Sequence, residues 1–184
     1  MLYYLIMMND IEIWLERLTA LYRSQMRHCA NSEGMQVVHL EILQYLSIAN
    51  KYSNTAQAVS EYLGQTKGSI SQSLKLLENN GYIERQASAK DKRVVGIYLT
   101  QTGKDSLTRM SSQLLPNLKG SNNDVDTIKA LLKKWQVTNH HKGFGQCQSC
   151  KFNLEPSREN FLCALTNETL SLKDIKKICR EHEF

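Results

Sequence analysis

Four of the five cysteines in this chain crowd into its last quarter. Cys147, Cys150, Cys163 and Cys179 follow the pattern Cys-x2-Cys-x12-Cys-x15-Cys, opening with FGQCQSCKFN at residues 144–153. Alone, the Cys147–Cys150 pair reads equally as a metal knuckle or a redox dithiol. A thioredoxin-type pair needs a βαβ context, which the surrounding sequence lacks. Structural disulfides are rare in a reducing compartment. Four thiolates, in contrast, are the number that closes a tetrahedral Zn2+ site or holds an iron–sulfur cluster. Structural Zn sites favour two short knuckles, and here Cys163 and Cys179 come singly. That dispersed spacing leans slightly to iron–sulfur and leaves Zn2+ open. His140, His141 and His182 are substitute ligands, though each reads first as a surface histidine. The lone Cys29 reads as a small apolar side chain.

A site at Cys147, Cys150, Cys163 and Cys179 also answers a folding problem. The tail, residues 139–184, is too short to assemble a sufficient core, and small units of that size need a metal or disulfide staple. Its sequence reads as irregular, with FLCALT as a turn and SLKDIKKIC as a short helix ending at Cys179.

The preceding residues, 1–138, are patterned as helices around one hairpin. Ile11, Trp14, Leu15, Leu18, Leu21 and Tyr22 recur at helical spacing, as do Val38, Ile42, Tyr45, Leu46 and Ala49. Asn54 and Gln57 look like a capping box opening a third helix, with Gly64 as its stop. After a two- or three-residue turn, Ile70, Leu74 and Leu77 mark a fourth. Two short helices joined so tightly are a helix-turn-helix signal. GYIERQ and VVGIYLT then read as strands flanking the polar, basic loop ASAKDKR. Helix resumes after Thr100, and Val125, Ile128, Leu131, Leu132 and Trp135 form a last apolar stripe.

The net charge of +5 is unevenly spread: residues 50–104 carry eight Lys and Arg against four Asp and Glu. A local basic excess is the footprint of a polyanion partner. The fourth helix fits that partner, because residues 62–77 contain no carboxylate and Ile70, Leu74 and Leu77 turn inward. Thr66, Lys67, Ser69, Gln72, Ser73 and Lys75 are the residues assigned to DNA, with Gln suited to adenine edges in the major groove. Gly68 in an exposed first turn costs about 0.5–1 kcal/mol relative to Ala, which close approach of a DNA backbone would explain. Lys90, Lys92 and Arg93 in the hairpin loop are placed to meet phosphates or a minor groove.

Here a family resemblance enters. DKRVVGIYLTQTGK, Asp91 to Lys104, resembles the wing signature of the MarR family: Asp, one residue, Arg, an apolar strand ending in Leu-Thr, then Gly three residues on. SISQSLKLLENNGYIER resembles that family's recognition helix running into its wing. The resemblance spans roughly residues 10–138. It implies a mainly α, winged helix-turn-helix homodimer with interlocking N- and C-terminal dimerisation helices, binding a pseudo-palindromic operator on double-stranded DNA, usually as a repressor. It also implies that Asp91 structures the wing tip that brings Arg93 to DNA, and it leaves room for a small-molecule or redox effector. Some relatives sense peroxide through an N-terminal cysteine, which keeps a second reading of Cys29 open. Ordinary family members end after the last dimer helix, so the four-cysteine tail is an addition.

The function expected is a DNA-binding regulator modulated by a four-cysteine centre, not an enzyme. Two alternatives stand beside it: a regulator whose tail is a purely structural Zn module for protein docking, and a thiol oxidoreductase using Cys147 and Cys150. No nucleophile with a paired base and no phosphate-cradling loop is legible. The apolar start, MLYYLIMM, is too short to span a bilayer and lacks a signal-peptide n-region, so a cytoplasmic location without membrane attachment is expected.

Overall fold

A computed structural model describes residues 9–87, 94–116, 120–141 and 143–184. Among the described residues, six α-helices come in the order expected: α1 (Asp10–Ser32), α2 (Val37–Ile48), α3 (Ala56–Leu63), α4 (Lys67–Asn79), then α5 (Gln101–Leu114) and α6 (Asn122–Thr138). Strands β1 (Ile83–Ala87) and β2 (Val95–Leu99) separate α4 from α5 and pair antiparallel, with Ile83 opposite Leu99 and Ala87 opposite Val95. No helix among the described residues is long and apolar enough to cross a membrane.

The helix ends follow from local chemistry. The Asn9 side chain accepts the Glu12 amide while Glu12 accepts the Asn9 amide, which closes a capping box on α1. The cap of α3 is Thr55, whose hydroxyl accepts the Ala58 amide at 3.3 Å; Asn54, expected in that role, lies one residue outside the helix and uses its carbonyl elsewhere. Gly64 ends α3 at φ +63°, a left-handed conformation favourable to glycine. Three residues later α4 begins, capped by Thr66.

The main core is built on α2. Leu40, Ile42, Leu43 and Tyr45 are almost wholly buried and meet Val59 of α3, Ile70, Leu74 and Leu77 of α4, Ile97 of β2 and Met110 of α5. From α1, only Met26, Cys29 and Ala30 join it. The apolar stripe that defines the rest of α1 stays outside, with Trp14 70% exposed and Ile11, Leu18 and Leu21 more than half exposed. On α6, Ile128, Leu132 and Trp135 are exposed in the same way. Amphipathic spacing says that a helix has an apolar face; it does not say that its own chain covers that face.

The tail is more ordered than its sequence suggests. It contains β3 (Gly145–Gln146), a 3-10 turn at Cys147–Ser149, β4 (Asn153–Ser157), β5 (Asn160–Cys163), β6 (Glu168–Leu170) and β7 (Ile178–Cys179). The strands form a β4-β5-β6 antiparallel sheet and a β3-β7 pair. The helix expected over SLKDIKKIC is replaced by turns and β7. Reciprocal bonds between Ser171 and Asp174 close one turn. The carbonyls of Ile175 and Lys177 then accept the Gln148 and Cys147 amides at 2.8 and 3.2 Å, so they are diverted from any helical ladder. Cys163, expected in a turn, ends β5.

Where the hairpin meets α5, the Thr100 amide donates to the Tyr82 carbonyl at 3.1 Å. A Cβ on Gly103 would fall 2.0 Å from that carbonyl oxygen. This contact explains the glycine three residues after Thr100 in the wing motif. Gly103→Ala is therefore expected to lower stability by about 1–3 kcal/mol, the range for overpacking a fixed site. Chemical denaturation would measure it, and an unchanged midpoint would contradict the contact.

Candidate nucleic-acid interface and candidate metal centre

Helix α4 lies with Ile70, Leu74 and Leu77 in the core and with Lys67, Gly68, Ser69, Ser71, Gln72, Lys75 and Leu76 exposed. Ser73 is the exception among the residues assigned to DNA. At 7% exposure it belongs to the inward face, because it stands three and four residues from Ile70 and Leu77. Thr66 is committed locally, its hydroxyl accepting the Ser69 amide at 3.2 Å. Leu76, half exposed, was missed by a search for polar groups. Its signal was present, since the helical stripe leaves that position outside. Nothing in the chain lies within 4 Å of a Cβ built on Gly68, so internal packing does not require glycine there. Glu78, the acidic residue of α4, is paired with Arg85 at 2.9 Å. Lys90, Asp91, Lys92 and Arg93 lie outside the described residues.

The four tail cysteines, spread over 33 residues of sequence, line one cavity of about 50 Å3. Three local devices bring them there. The 3-10 turn presents Cys147 and Cys150, with the Cys150 amide donating to the Cys147 carbonyl at 3.0 Å. Antiparallel pairing of β3 with β7 sets Cys179 opposite Gly145, two residues from Cys147. The three-stranded sheet delivers Cys163, flanked by Asn153 and Glu168 across the strands. Phe152, Leu165 and Leu170 supply apolar wall, and Asn50 and Tyr52 close the side toward α2.

The thiols are not equivalent. Cys179 is pulled well below the ordinary thiol range, chiefly because the Cys147 thiol donates to it, with further donors from Asn50, the Glu181 amide and Ser53. Cys147, which donates its thiol hydrogen to Cys179 and is buried, is pushed up correspondingly. Such N–H, O–H and S–H donors around a sulfur are what a thiolate ligand needs. Among the described residues, no group of three or more His, Cys, Asp and Glu side chains is drawn together tightly enough to hold a metal ion.

The histidines stand elsewhere. His182 is 2% exposed and lies behind the knuckle, its Nε2 3.0 Å from the Ser149 hydroxyl. A Cβ on Gly145 would come within 2.8 Å of its ring, so that glycine makes room for it. Burial lowers the His182 pKa and keeps the ring neutral. His140 and His141 border a separate cleft with Tyr62 and Trp135. Cys29 is fully buried in the main core and its thiol is pushed up by desolvation.

With this geometry in view, the comparisons with known proteins are specific. Residues 33–94 match the model of the MarR family. The fold is similar to that of solved MarR-family winged-helix proteins. It is similar to CouR from Rhodococcus jostii RHA1, a structure bound to p-coumaroyl-CoA, at 17% identity and a TM-score of 0.56, over 71% of this chain and 92% of that one. A MarR-family transcriptional regulator from Silicibacter pomeroyi matches at 17% identity and a TM-score of 0.56, over 68% and 86% of the two chains. One from Methanosarcina mazei Go1 matches at 20% identity and 0.53, over 70% and 98%. No curated protein matches. The Silicibacter pomeroyi and Methanosarcina mazei structures are named as transcriptional regulators, and no βαβ unit among the described residues surrounds Cys147 and Cys150.

Sequence reading missed Asn50, Tyr52 and Ser53 as neighbours of the cysteines. Nothing in NKYS, residues 50–53, marks it as more than a polar turn, and the proximity arises only from tertiary packing. The two thiol environments predict a contrast in reactivity. In metal-free protein, alkylation of Cys179 should reach its maximal rate at a pH below that of an ordinary thiol, because its thiolate is the favoured form. Cys29 should stay unmodified until the chain unfolds. Mass spectrometry of timed alkylation reads both, and equal rates at the two sites would contradict the assignment.

Proposed function

We propose that this protein is a homodimeric, sequence-specific transcriptional regulator, acting as a repressor, whose tail carries an iron–sulfur cluster on Cys147, Cys150, Cys163 and Cys179. The observation that carries the DNA-binding reading is the exposed face of α4 from Lys67 to Leu76, free of carboxylates, within a MarR-type winged helix. Gln72 supplies a bidentate donor and acceptor for an adenine edge, Ser69 and Ser71 reach bases or phosphates, and Leu76 suits a thymine methyl. Lys67 and Lys75 neutralise phosphates, as do Lys90, Lys92 and Arg93 of the wing, with Asp91 holding its tip. The uncovered apolar faces of α1 and α6 are the surfaces a second copy would bury.

The tail reading rests on four thiols around one void. One short knuckle followed by two dispersed cysteines suits an iron–sulfur cluster somewhat better than a structural Zn2+ site, which favours two knuckles. A cluster takes thiolate ligands and is tuned by hydrogen bonds to sulfur and by burial. When bound, it would supply one-electron redox sensitivity, which makes oxidation or loss the natural signal. Protein purified without oxygen should be brown, contain iron and sulfide, and lose both when any one of the four cysteines is replaced by Ser. Cys29→Ser should keep both. A colourless protein with one Zn2+ per chain would replace this reading with the structural Zn module.

The α4 face generates its own tests. Gln72→Ala should weaken binding to the preferred duplex by about 1–3 kcal/mol and relax selectivity at one base pair. Lys75→Ala should weaken all sequences similarly and reduce the salt slope by about one. Gly68→Ala should stabilise the fold by up to about 0.5–1 kcal/mol while weakening DNA binding, a split that a merely structural residue would not give. Fluorescence anisotropy against salt reads these effects. Absence of salt-dependent binding to duplex DNA would overturn the proposal.

A further inference from the structure

The cysteine cavity is closed on one side by residues of the winged helix itself, all from the turn between α2 and α3. Asn50 is 8% exposed and engages three partners. Its amide donates to the Ile178 carbonyl of β7 at 2.9 Å, its Nδ2 lies 3.7 Å from Cys147 Sγ, and its Oδ1 accepts the Tyr52 amide at 3.1 Å. Ala49 makes a parallel bridge to the same Ile178. Ser53, fully buried, accepts the Arg180 amide through its hydroxyl at 2.8 Å, one residue past Cys179, and accepts the Tyr45 hydroxyl through its carbonyl at 2.7 Å. Asn54 then turns to the hairpin, its carbonyl accepting the Ile97 amide of β2 at 2.7 Å. Thr55 caps α3.

Six consecutive residues, 50 to 55, therefore run from the sulfur ligands at one end to the wing strand and the first helix of the helix-turn-helix at the other. We propose that the turn 50–54 couples the four-cysteine centre to the DNA-reading elements, with Asn50 as its positioning residue, so that loading of the centre and DNA binding are thermodynamically linked. The inference rests on the four-thiolate reading above. A loaded centre fixes Cys147 and Cys179, and with them the amide of Asn50 and the hydroxyl of Ser53. Release of the sulfurs frees both side chains, and Asn54 loses the support that sets β2 and the start of α3. Linkage is reciprocal: whatever factor the centre contributes to DNA affinity, DNA contributes to retention of the centre.

The test compares loaded protein, purified without oxygen, with chelator-stripped protein on the tightest duplex selected from a random pool by the loaded form. Wild type should change its Kd between the two states by about five-fold or more, within the usual range of allosteric couplings. Asn50→Ser keeps a side-chain acceptor for the Tyr52 amide but cannot reach Cys147. Measured on the fraction of chains that carries iron and sulfide, its change in Kd should fall below about two-fold, which removes most of the coupling. Hydrogen exchange on wild type gives an answer independent of any variant: the Asn50, Arg180 and Ile97 amides should be better protected in the loaded state. Wild type without a metal centre would sink the underlying reading. A loaded wild type whose Kd and exchange match those of stripped protein would overturn the coupling and leave the centre standing. A full Kd change in folded Asn50→Ser would overturn the role of Asn50.

Discussion

The Asn50 amide donates to the Ile178 carbonyl at 2.9 Å, and the rest of the molecule is organised around that seam. It places β7 beside the end of α2, and β7 carries Cys179. Around it, Arg180 makes two bonds to Glu61 of α3, at 2.5 and 2.9 Å, and Glu168 pairs with Lys51 and Tyr52. Phe144 enters the main core edge-on to Tyr62, with centroids 5.2 Å apart. The tail could not stand by itself: its own core is Cys147, Phe161, Leu170 and Ile175, with Cys163 and Cys179 at the margin. Half of those six side chains are thiols, too little apolar mass for an independent unit.

That dependence has a mechanical consequence. A module held by its own disulfides could hang from a linker without informing the domain before it. Here the polar groups that satisfy the sulfurs are borrowed from the α2–α3 turn, so the two cannot rearrange separately. The α3–α4 pair and the hairpin share that turn as their foundation. On the proposed reading, a change at the sulfurs reaches the wing through backbone hydrogen bonds only a few residues long.

Much of the winged helix was legible in the sequence because its signals are local. Gly64 stops α3, Thr100 caps α5, and apolar spacing separates the α4 faces except at Ser73, where a small hydroxyl hid an inward position. The outward apolar stripes of α1 and α6 were legible as stripes but not as uncovered surfaces, since coverage is a property of the assembly. The four cysteines were legible as one group. Their route together was not, because Ile175 and Lys177 lend their carbonyls to the knuckle only after the chain has folded back. Asn50 and Ser53 carried no sequence signal, lying about one hundred residues from the sulfurs they contact.

The central claim is that winged helix and cysteine module form one cooperative unit held at the α2–α3 turn. Differential scanning calorimetry of loaded and chelator-stripped protein tests it most directly. The account predicts a single transition for the loaded chain, with the melting of the winged helix itself moving to lower temperature on stripping. Two separate transitions, with the winged-helix one unmoved by removal of the metal, would contradict it.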